Sequence, residues 1–205
     1  MNTSIVDLLE AYPLPEQEQT PNYQIYCDMD GVLTDFEKRF KDKLNEVGPQ
    51  YYKKSDIAKV DKPKDFEKIF GREEFWKLID QYVGVSFWVG MDWMPRGREL
   101  WNFISPYQPK LLTSPSRDNS SRLGKNLWVR NQLNPKPKVI FAYSADKQNY
   151  ATPNSILIDD KKSNIEEWTS QGGIAFRVKN GDIGPALQGL KELGYGEGQH
   201  SEKGV

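Results

Sequence analysis

Histidine is almost absent from this chain of 205 residues, since the only one is His200 near the C-terminus. A Ser-His-Asp or Cys-His mechanism needs a histidine to carry the proton, and the common zinc centres use imidazole ligands. The composition therefore argues against both kinds of site. The glycine-rich phosphate loops of kinases and of nucleotide-binding folds are also missing. Any chemistry must come from carboxylates, lysines, hydroxyl groups and a metal.

Other absences limit the partners and the compartment. With 28 basic and 29 acidic residues the formal net charge is −1, which gives no indication of a duplex nucleic acid partner. No apolar run approaches the length of a membrane span, and residues 1–10 lack the regions of a signal peptide. Cys27 is the only cysteine, so an intramolecular disulfide is excluded. We therefore expect a cytoplasmic protein that contacts no membrane, with a homodimer as one option for its assembly.

Strands and helices alternate along the chain. This order is typical of an α/β fold with a Rossmann-like, doubly wound parallel sheet. The predicted strands cover residues 23–27, 110–113, 139–142, 155–158 and 174–178. The predicted helices cover residues 36–47, 73–83, 96–104, 119–133, 164–170 and 185–193.

The interval between the first two strands is unusually long. About 80 residues separate Asp30 from Lys110, whereas a parallel crossover needs only about a dozen. We therefore expect a small, mainly helical cap inserted after strand one, although residues 50–71 show no clear period. The predicted organisation is an N-terminal arm at 1–22, a core at 23–35 and 95–193, a cap at 36–94, and a disordered tail at 194–205.

Two aspartates follow the first strand. Asp28 and Asp30 lie two residues apart, so on an extended segment they point the same way, and Gly31 permits a sharp turn behind them. Ligands of open α/β sheets bind outside the carboxyl ends of the strands. Carboxylates held this close need a cation or a proton between them. Asp also serves as a turn or helix-cap residue, which is the structural alternative for either pair alone.

A second acidic pair follows the fourth strand. Asp159 and Asp160 come directly after the apolar run 155–158, which reads as fully buried. If the two strands are neighbours, four carboxylates meet in one crevice. Oxygen ligands in this number suit a hard cation, and Mg²⁺ is the expected cofactor.

Hydroxyl and amino groups follow the other strands. Thr113 and Ser114 end strand two, where hydroxyl and amide groups can hold a phosphate, although the same stretch is an ordinary capping loop. Lys147 follows strand three and could neutralise a transferring phosphoryl group. Arg117 and Lys125 are secondary candidates for phosphate contact.

Three aromatic residues occur near the end of the cap interval: Phe87, Trp88 and Trp93. Aromatic clusters beside a helix usually belong to the core. They could also form an apolar slot in which a nucleobase stacks. The residues alone leave these two interpretations open.

Four motifs now stand in order: residues 28–32 (Asp-Met-Asp-Gly-Val), Thr113-Ser114, Lys147, and Asp159-Asp160. Together they resemble the haloacid dehalogenase-like (HAD-like) phosphohydrolases, over about residues 23–180. The stretches at 28–37, 112–115 and 157–161 look like the 5′(3′)-deoxyribonucleotidase branch. The resemblance implies a HAD-like fold and Mg²⁺-dependent hydrolysis of 5′- or 3′-(deoxy)nucleoside monophosphates, which makes a small nucleotide the expected partner.

The resemblance also implies roles for individual residues. Asp28 is the expected nucleophile, which forms an aspartyl-phosphate, and Asp30 the acid and base. Thr113 and Ser114 are expected to bind phosphate oxygens, with Lys147 holding the charge. The implied metal ligands are the Asp28 carboxylate, the Asp30 carbonyl, and one or both of Asp159 and Asp160. Arg117 and Lys125 stand where the branch has phosphate-contacting lysines.

The sequence departs from the branch in three places. Ala145 stands where an arginine is usual, the segment between Lys147 and Asp159 is longer, and residues 50–71 do not align. Alternative functions are a phosphatase for another small ester or for a nucleic-acid 3′-phosphate, a phosphotransferase, and a catalytically silent binding module of the same fold.

Overall fold

The computed structural model describes residues 22–196. The predicted arm up to residue 21, residues 197–205 of the predicted tail, and His200 lie outside this range. The described tail residues 194–196 do not fit the prediction of disorder. Tyr195 is fully buried, and its hydroxyl donates a hydrogen bond of 3.0 Å to the carbonyl of Tyr23. An aromatic side chain with a bonded hydroxyl anchors the chain at this point.

Five parallel strands form one sheet in the described part of the chain. They lie in the order β3-β2-β1-β4-β5. Their bounds agree with the predicted strands to within one or two residues: β1 is Gln24–Cys27, β2 Lys110–Thr113, β3 Val139–Phe141, β4 Ser155–Asp159 and β5 Ile174–Arg177.

The strands are continuously apolar because both faces of the sheet are covered. In β1, Ile25 and Cys27 join the larger hydrophobic cluster, and Tyr26 between them joins a second one. In β4, Ile158 and Leu157 divide between the same two clusters. Successive side chains of a strand point to opposite faces, so a strand buried on both faces must be apolar throughout.

The segment between β1 and β2 is helical. The α-helices are α1 at Phe36–Val47, α2 at Lys54–Ile57, α3 at Pro63–Phe70, α4 at Arg72–Trp76, α5 at Val85–Val89 and α6 at Gly97–Ile104. A π-helix at Lys77–Val83 continues α4, and short 3₁₀ turns cover Gly48–Gln50 and Ser105–Tyr107.

Two of these helices lie where the sequence shows no clear period. In α3 the first helical position is Pro63, and the Asp65 carboxylate accepts a hydrogen bond of 2.9 Å from the Lys62 amide. Proline at the first position and an acid in the first turn are a helix-start signal. The helix has only eight residues and a single buried one, Phe66, so it is a short element within a charged stretch.

Between β2 and residue 196 there are three α-helices. They are α7 at Asn119–Gln132, α8 at Lys162–Ser170 and α9 at Gly184–Glu192, and a 3₁₀ helix covers Ser144–Tyr150. None of the helices within residues 22–196 is long and apolar enough to cross a membrane.

The strand order positions the site. The chain adds β2 and β3 on one side of β1, then returns to place β4 on the other side. In the register of this pair Cys27 lies beside Ile158, so Asp28 and Asp159 are level at the carboxyl ends of neighbouring strands. A reversal of strand order opens a crevice at these ends.

Candidate functional site

A cleft of about 1180 Å³ lies over the carboxyl ends of the strands. The sheet contributes Asp28, Asp30 and Asp160, and the helical segment after β1 contributes residues from α1, α3 and α4. Residues between β1 and β2 therefore form one wall of the cleft, as the predicted cap position implies. The boundaries of the cap as a separate domain remain a prediction.

Asp28 and Lys147 form a buried ion pair at the floor of the cleft. Asp28 Oδ1 accepts a hydrogen bond of 2.8 Å from the Met29 amide, and Asp28 Oδ2 lies 3.0 Å from Lys147 Nζ. Burial alone would lower the pKa of Lys147, but the carboxylates of Asp28 and Asp159 raise it above its ordinary value. Lys147 is therefore charged at neutral pH, although it is only 1% exposed.

Asp159 is fully buried behind the cleft surface. Its Oδ2 accepts hydrogen bonds of 2.7 Å from Lys147 Nζ and 2.9 Å from Asn164 Nδ2. Its Oδ1 accepts a hydrogen bond of 2.9 Å from the Lys161 amide. Burial raises the pKa of Asp159, as does the nearby charge of Asp28. Asn164 lies in α8 and the sequence analysis missed it, because an asparagine five residues after an aspartate has no specific pattern.

Asp160 lies beside Asp28 on the cleft surface. Burial raises the pKa of Asp160 to about 7, and the charges of Asp28 and Asp159 act in the same direction. Its carbonyl accepts a hydrogen bond of 2.8 Å from Arg177 Nε at the end of β5. Gly31 approaches it so closely that an added Cβ would lie 2.5 Å from Asp160 Oδ2.

The carboxylates of this cluster fit a divalent cation. Asp28, Asp159 and Asp160 each offer an oxygen atom, and these atoms lie within 4.8 Å of one another. Together with Asp30 they make four carboxylates against two buried ammonium groups, so the ionised cluster has a net charge of −2. Hard oxygen donors and this charge suit Mg²⁺. Ligation through the Asp30 carbonyl remains a prediction.

Asp30 is held at both oxygens. Its Oδ1 accepts a hydrogen bond of 3.1 Å from Thr34 Oγ1, and its Oδ2 accepts one of 2.7 Å from Lys125 Nζ. Lys125 Nζ also donates 2.8 Å bonds to Thr113 Oγ1 and the Ser114 carbonyl. Asp30 is therefore more than a turn former. Asp35 is the N-cap of α1 and accepts a hydrogen bond from the Lys38 amide, as the helix-cap alternative predicts.

Thr113 and Lys125 do not reach the cleft. Both are fully buried, and neither belongs to its lining. Their direct contact with phosphate stays a prediction, and in the structure the Lys125 amino group is bonded to three protein oxygens. Ser114 and Arg117 do line the cleft, as the sequence predicts.

The loop after β2 is tied to the π-helix. Asp80 Oδ1 accepts hydrogen bonds of 2.9 Å from Ser116 Oγ and 3.2 Å from Ser120 Oγ. The Ser116 amide donates to Ser121 Oγ at 3.0 Å. Burial raises the pKa of Asp80. Ser116 therefore holds the loop to the π-helix. Asp80 links these two segments, and no local pattern in the chain indicates this contact.

The predicted aromatic slot does not form. Phe87 is fully buried in the core, and Trp93 packs 5.0 Å from Trp128 with its indole N–H donating to Gln132. Neither residue lines the cleft, and Trp88 touches it while remaining 1% exposed. The core interpretation is correct for Phe87, whereas the half-buried Trp93 packs against the hydrophobic cluster from outside. The cleft has other apolar residues that the sequence did not single out: Phe36, Trp76 and Met94.

Comparisons with known proteins identify the fold. No protein-family profile matches the chain, and no curated protein matches its sequence. A protein assigned as a phosphoglycolate phosphatase from Lactobacillus plantarum has a TM-score of 0.53 and 16% identity, over 85% of this chain and 100% of that chain. A predicted phosphatase from Clostridium acetobutylicum has a TM-score of 0.51 and 14% identity, over 86% and 92%.

A third solved structure carries the family name itself. A haloacid dehalogenase-like hydrolase assigned in Bacteroides fragilis has a TM-score of 0.51 and 14% identity, over 78% of this chain and 89% of that chain. These neighbours are HAD-like hydrolases and phosphatases. The similarity confirms the predicted Rossmann-like α/β fold.

Proposed function

We propose that this protein is a metal-dependent phosphomonoesterase that hydrolyses nucleoside monophosphates through an aspartyl-phosphate intermediate. The observation that carries the proposal is the cluster at the cleft floor, where Lys147 lies 3.0 Å from Asp28 and three carboxylates converge. Asp28, Asp159 and Asp160 would hold Mg²⁺. When bound, the ion would shield the charge of an approaching phosphate and stabilise the transition state.

In the first step Asp28 attacks the substrate. One of its carboxylate oxygens forms a bond to phosphorus while the ester P–O bond breaks. The Asp30 carboxyl group donates its proton to the departing alkoxide oxygen, which leaves as an alcohol. Lys147, fixed between Asp28 and Asp159, supports the negative charge of the transferring group.

In the second step the intermediate is hydrolysed. The Asp30 carboxylate takes a proton from a water molecule, and the water oxygen bonds to phosphorus. The bond between phosphorus and Asp28 breaks, which releases inorganic phosphate and restores the Asp28 carboxylate. Lys125 and Thr34 orient Asp30 in both steps through their hydrogen bonds to its two oxygens.

Several features of the cleft support a nucleotide as the substrate. Ser114 and Arg117 provide polar groups for the phosphate close to the start of α7, and helix N-termini favour anions. Phe36, Trp76 and Met94 form an apolar part of the wall that can accept a base.

The test is phosphate release from a panel of nucleoside monophosphates and sugar phosphates, with Mg²⁺ and with EDTA. We expect metal-dependent release from the nucleotides. Asp28→Asn should abolish it, because the amide cannot act as the nucleophile, while the shape of the side chain is kept. The matched control is Asp42→Asn on the exposed side of α1, where Asp42 pairs with Lys38 at the surface.

The outcomes separate the parts of the proposal. Release from sugar phosphates alone would keep the phosphatase chemistry and reject nucleotides as the substrate class. Equal activity of Asp28→Asn and the unaltered protein would reject the aspartyl-phosphate mechanism.

A further inference from the structure

The walls of the cleft carry more positive charge than one phosphate requires. Six cationic side chains line it outside the metal cluster and the loop after β2. They come from two sides: Lys62, Lys64 and Arg72 from the helical segment, and Lys161, Arg177 and Lys179 from the ends of β4 and β5. Only two acids outside the floor cluster share this lining, Asp35 and Glu37.

The cations of the helical wall are available to a ligand. Lys62, Lys64 and Arg72 are exposed. Among residues 22–196 none of the three has a carboxylate oxygen within 4.0 Å of its charged group. Surface lysines elsewhere on the protein do find partners, as Lys41 does with Asp61 at 2.6 Å. The helical wall of the cleft therefore carries three cations without an acidic partner among the described residues.

The floor of the cleft does not need these charges. With a divalent cation bound, the net charge of −2 on the ionised carboxylate cluster is balanced. A phosphate monoester dianion then meets Arg117 and the polar groups after β2. The cations of the helical wall remain without an anion.

The size of the cleft also indicates a ligand larger than one with a single phosphate. Its volume of about 1180 Å³ exceeds the range of roughly 300–1,000 Å³ for small-molecule sites. A ligand with one phosphate would leave part of this space empty.

We propose that the substrate carries a second phosphate group, which Lys62, Lys64 and Arg72 bind while the first is hydrolysed at Asp28. The chemical class is therefore a nucleoside bisphosphate rather than a simple monophosphate. This inference rests on the proposed function for the nucleoside part, and on the charge of the cleft for the second phosphate.

The test compares kcat/KM for a nucleoside 5′-monophosphate and for the 3′,5′-bisphosphate of the same nucleoside, with Mg²⁺. We expect the bisphosphate to be the better substrate, and its advantage to shrink as salt screens the exposed charges. Lys64→Gln and Arg72→Gln should each lower kcat/KM for the bisphosphate by about two- to fivefold, the range for an exposed ionic contact. Their effect on the monophosphate should be smaller.

Lys68→Gln is the matched control, since Lys68 is exposed on the same helix α3 but does not line the cleft. This variant should leave kcat/KM unchanged for both substrates. A bisphosphate that is no better than the monophosphate, or wall variants that affect both substrates equally, would overturn the inference and leave the nucleotidase proposal intact.

Two further substrates distinguish the remaining outcomes. If only sugar phosphates are hydrolysed, a sugar bisphosphate whose advantage depends on Lys64 and Arg72 would support the second-phosphate site while the nucleotide proposal fails. If a short oligonucleotide with a 3′-phosphate is a better substrate than the bisphosphate, the cations serve a nucleic-acid chain, and the inference is wrong.

Discussion

At the scale of single residues, one buried lysine organises the floor of the site. Lys147 Nζ lies 3.0 Å from Asp28 and 2.7 Å from Asp159, in a position that is almost closed to solvent. Two carboxylates with one lysine partner remain short of positive charge, and Asp160 adds to the deficit. Buried charges of this kind are costly unless a cation balances them. Repulsion between these carboxylates therefore destabilises the metal-free protein at the place where a metal is expected.

The protonation of Asp160 makes the stability of the metal-free protein depend on pH. Its pKa is raised to about 7, whereas an Asp in an unfolded chain has a pKa of about 3.9. Between these values the folded protein holds a proton that the unfolded chain has lost. The free energy of unfolding in EDTA should therefore fall as the pH rises from 5 to 7, by up to about 1.4 kcal/mol per pH unit. The raised pKa of Asp159 acts in the same sense.

Urea unfolding in EDTA at pH 5, 6, 7 and 8 measures this slope. Asp160→Asn should flatten it, and Mg²⁺ added at pH 8 should restore stability to the unaltered protein. Asp42→Asn, at an exposed position, should keep the slope. An unchanged slope in Asp160→Asn would show that Asp160 is not the group responsible.

At the scale of elements, the turn after β1 is shaped by a glycine. Gly31 has φ +77°, and a Cβ there would lie 2.5 Å from Asp160 Oδ2. Gly31→Ala should therefore displace the Asp160 carboxylate as well as strain the backbone by about 1–2 kcal/mol. We expect a weaker Mg²⁺ dependence of the melting temperature and a loss of phosphatase activity.

Gly71→Ala is the matched control for this substitution. Gly71 also has a positive φ, of 92°, but no atom lies within 4 Å of its added Cβ. This variant should lose stability and keep the response to Mg²⁺. If both variants respond to Mg²⁺ equally, the contact between Gly31 and Asp160 does not matter for metal binding.

The π-helix is the second element with a specific consequence. Such segments are rare and often occur at functional sites. Here it directs Asp80 to the hydroxyl groups of Ser116, in the loop after β2, and Ser120, at the start of α7. Asp80→Ala should raise KM for the phosphate ester about fivefold, the equivalent of one hydrogen bond of about 1 kcal/mol, with a smaller change in kcat.

Asp80→Asn tests whether the hydrogen bonds are responsible. The amide oxygen can still accept from Ser116, so this variant should recover most of the substrate affinity. A similar KM in Asp80→Ala and the unaltered protein would mean that the loop holds its shape without Asp80.

At the scale of the whole molecule, the helical segment and the sheet share one core. Phe66 in α3 lies in the same hydrophobic cluster as Ile25 in β1, and its ring centroid is 5.6 Å from that of Phe40. Elements that share a core should unfold together. We expect far-UV circular dichroism and tryptophan fluorescence to report the same urea midpoint.

Phe66→Ala should lower the global free energy of unfolding by about 3–5 kcal/mol, because it opens a cavity in this shared core. Both signals should shift together. Ile69→Ala, on the same helix and 40% exposed, should change stability by about 0.5 kcal/mol. Two separate transitions would show that the segment from α1 to α5 folds as an independent cap.

Much of the architecture follows from local patterns in the chain. The apolar run at residues 155–158 predicted a buried strand, because strands covered on both faces have this composition. The alternation of such segments with helices predicted the parallel sheet. Asp28 and Asp159 could be placed at the site because they directly follow such runs, and neighbouring parallel strands end at the same edge. Lys147 was found by its position after the third strand.

Other features depend on contacts between residues distant in sequence, and no local pattern encodes them. The packing of helices decides that Phe87 is buried in the core while Phe36 and Trp76 reach the cleft. The same packing takes Lys125 and Thr113 behind the cleft surface to support Asp30. Short-range chemistry specifies where a charged group stands on its own strand or helix, but only long-range packing decides which groups meet and which of them a ligand can touch.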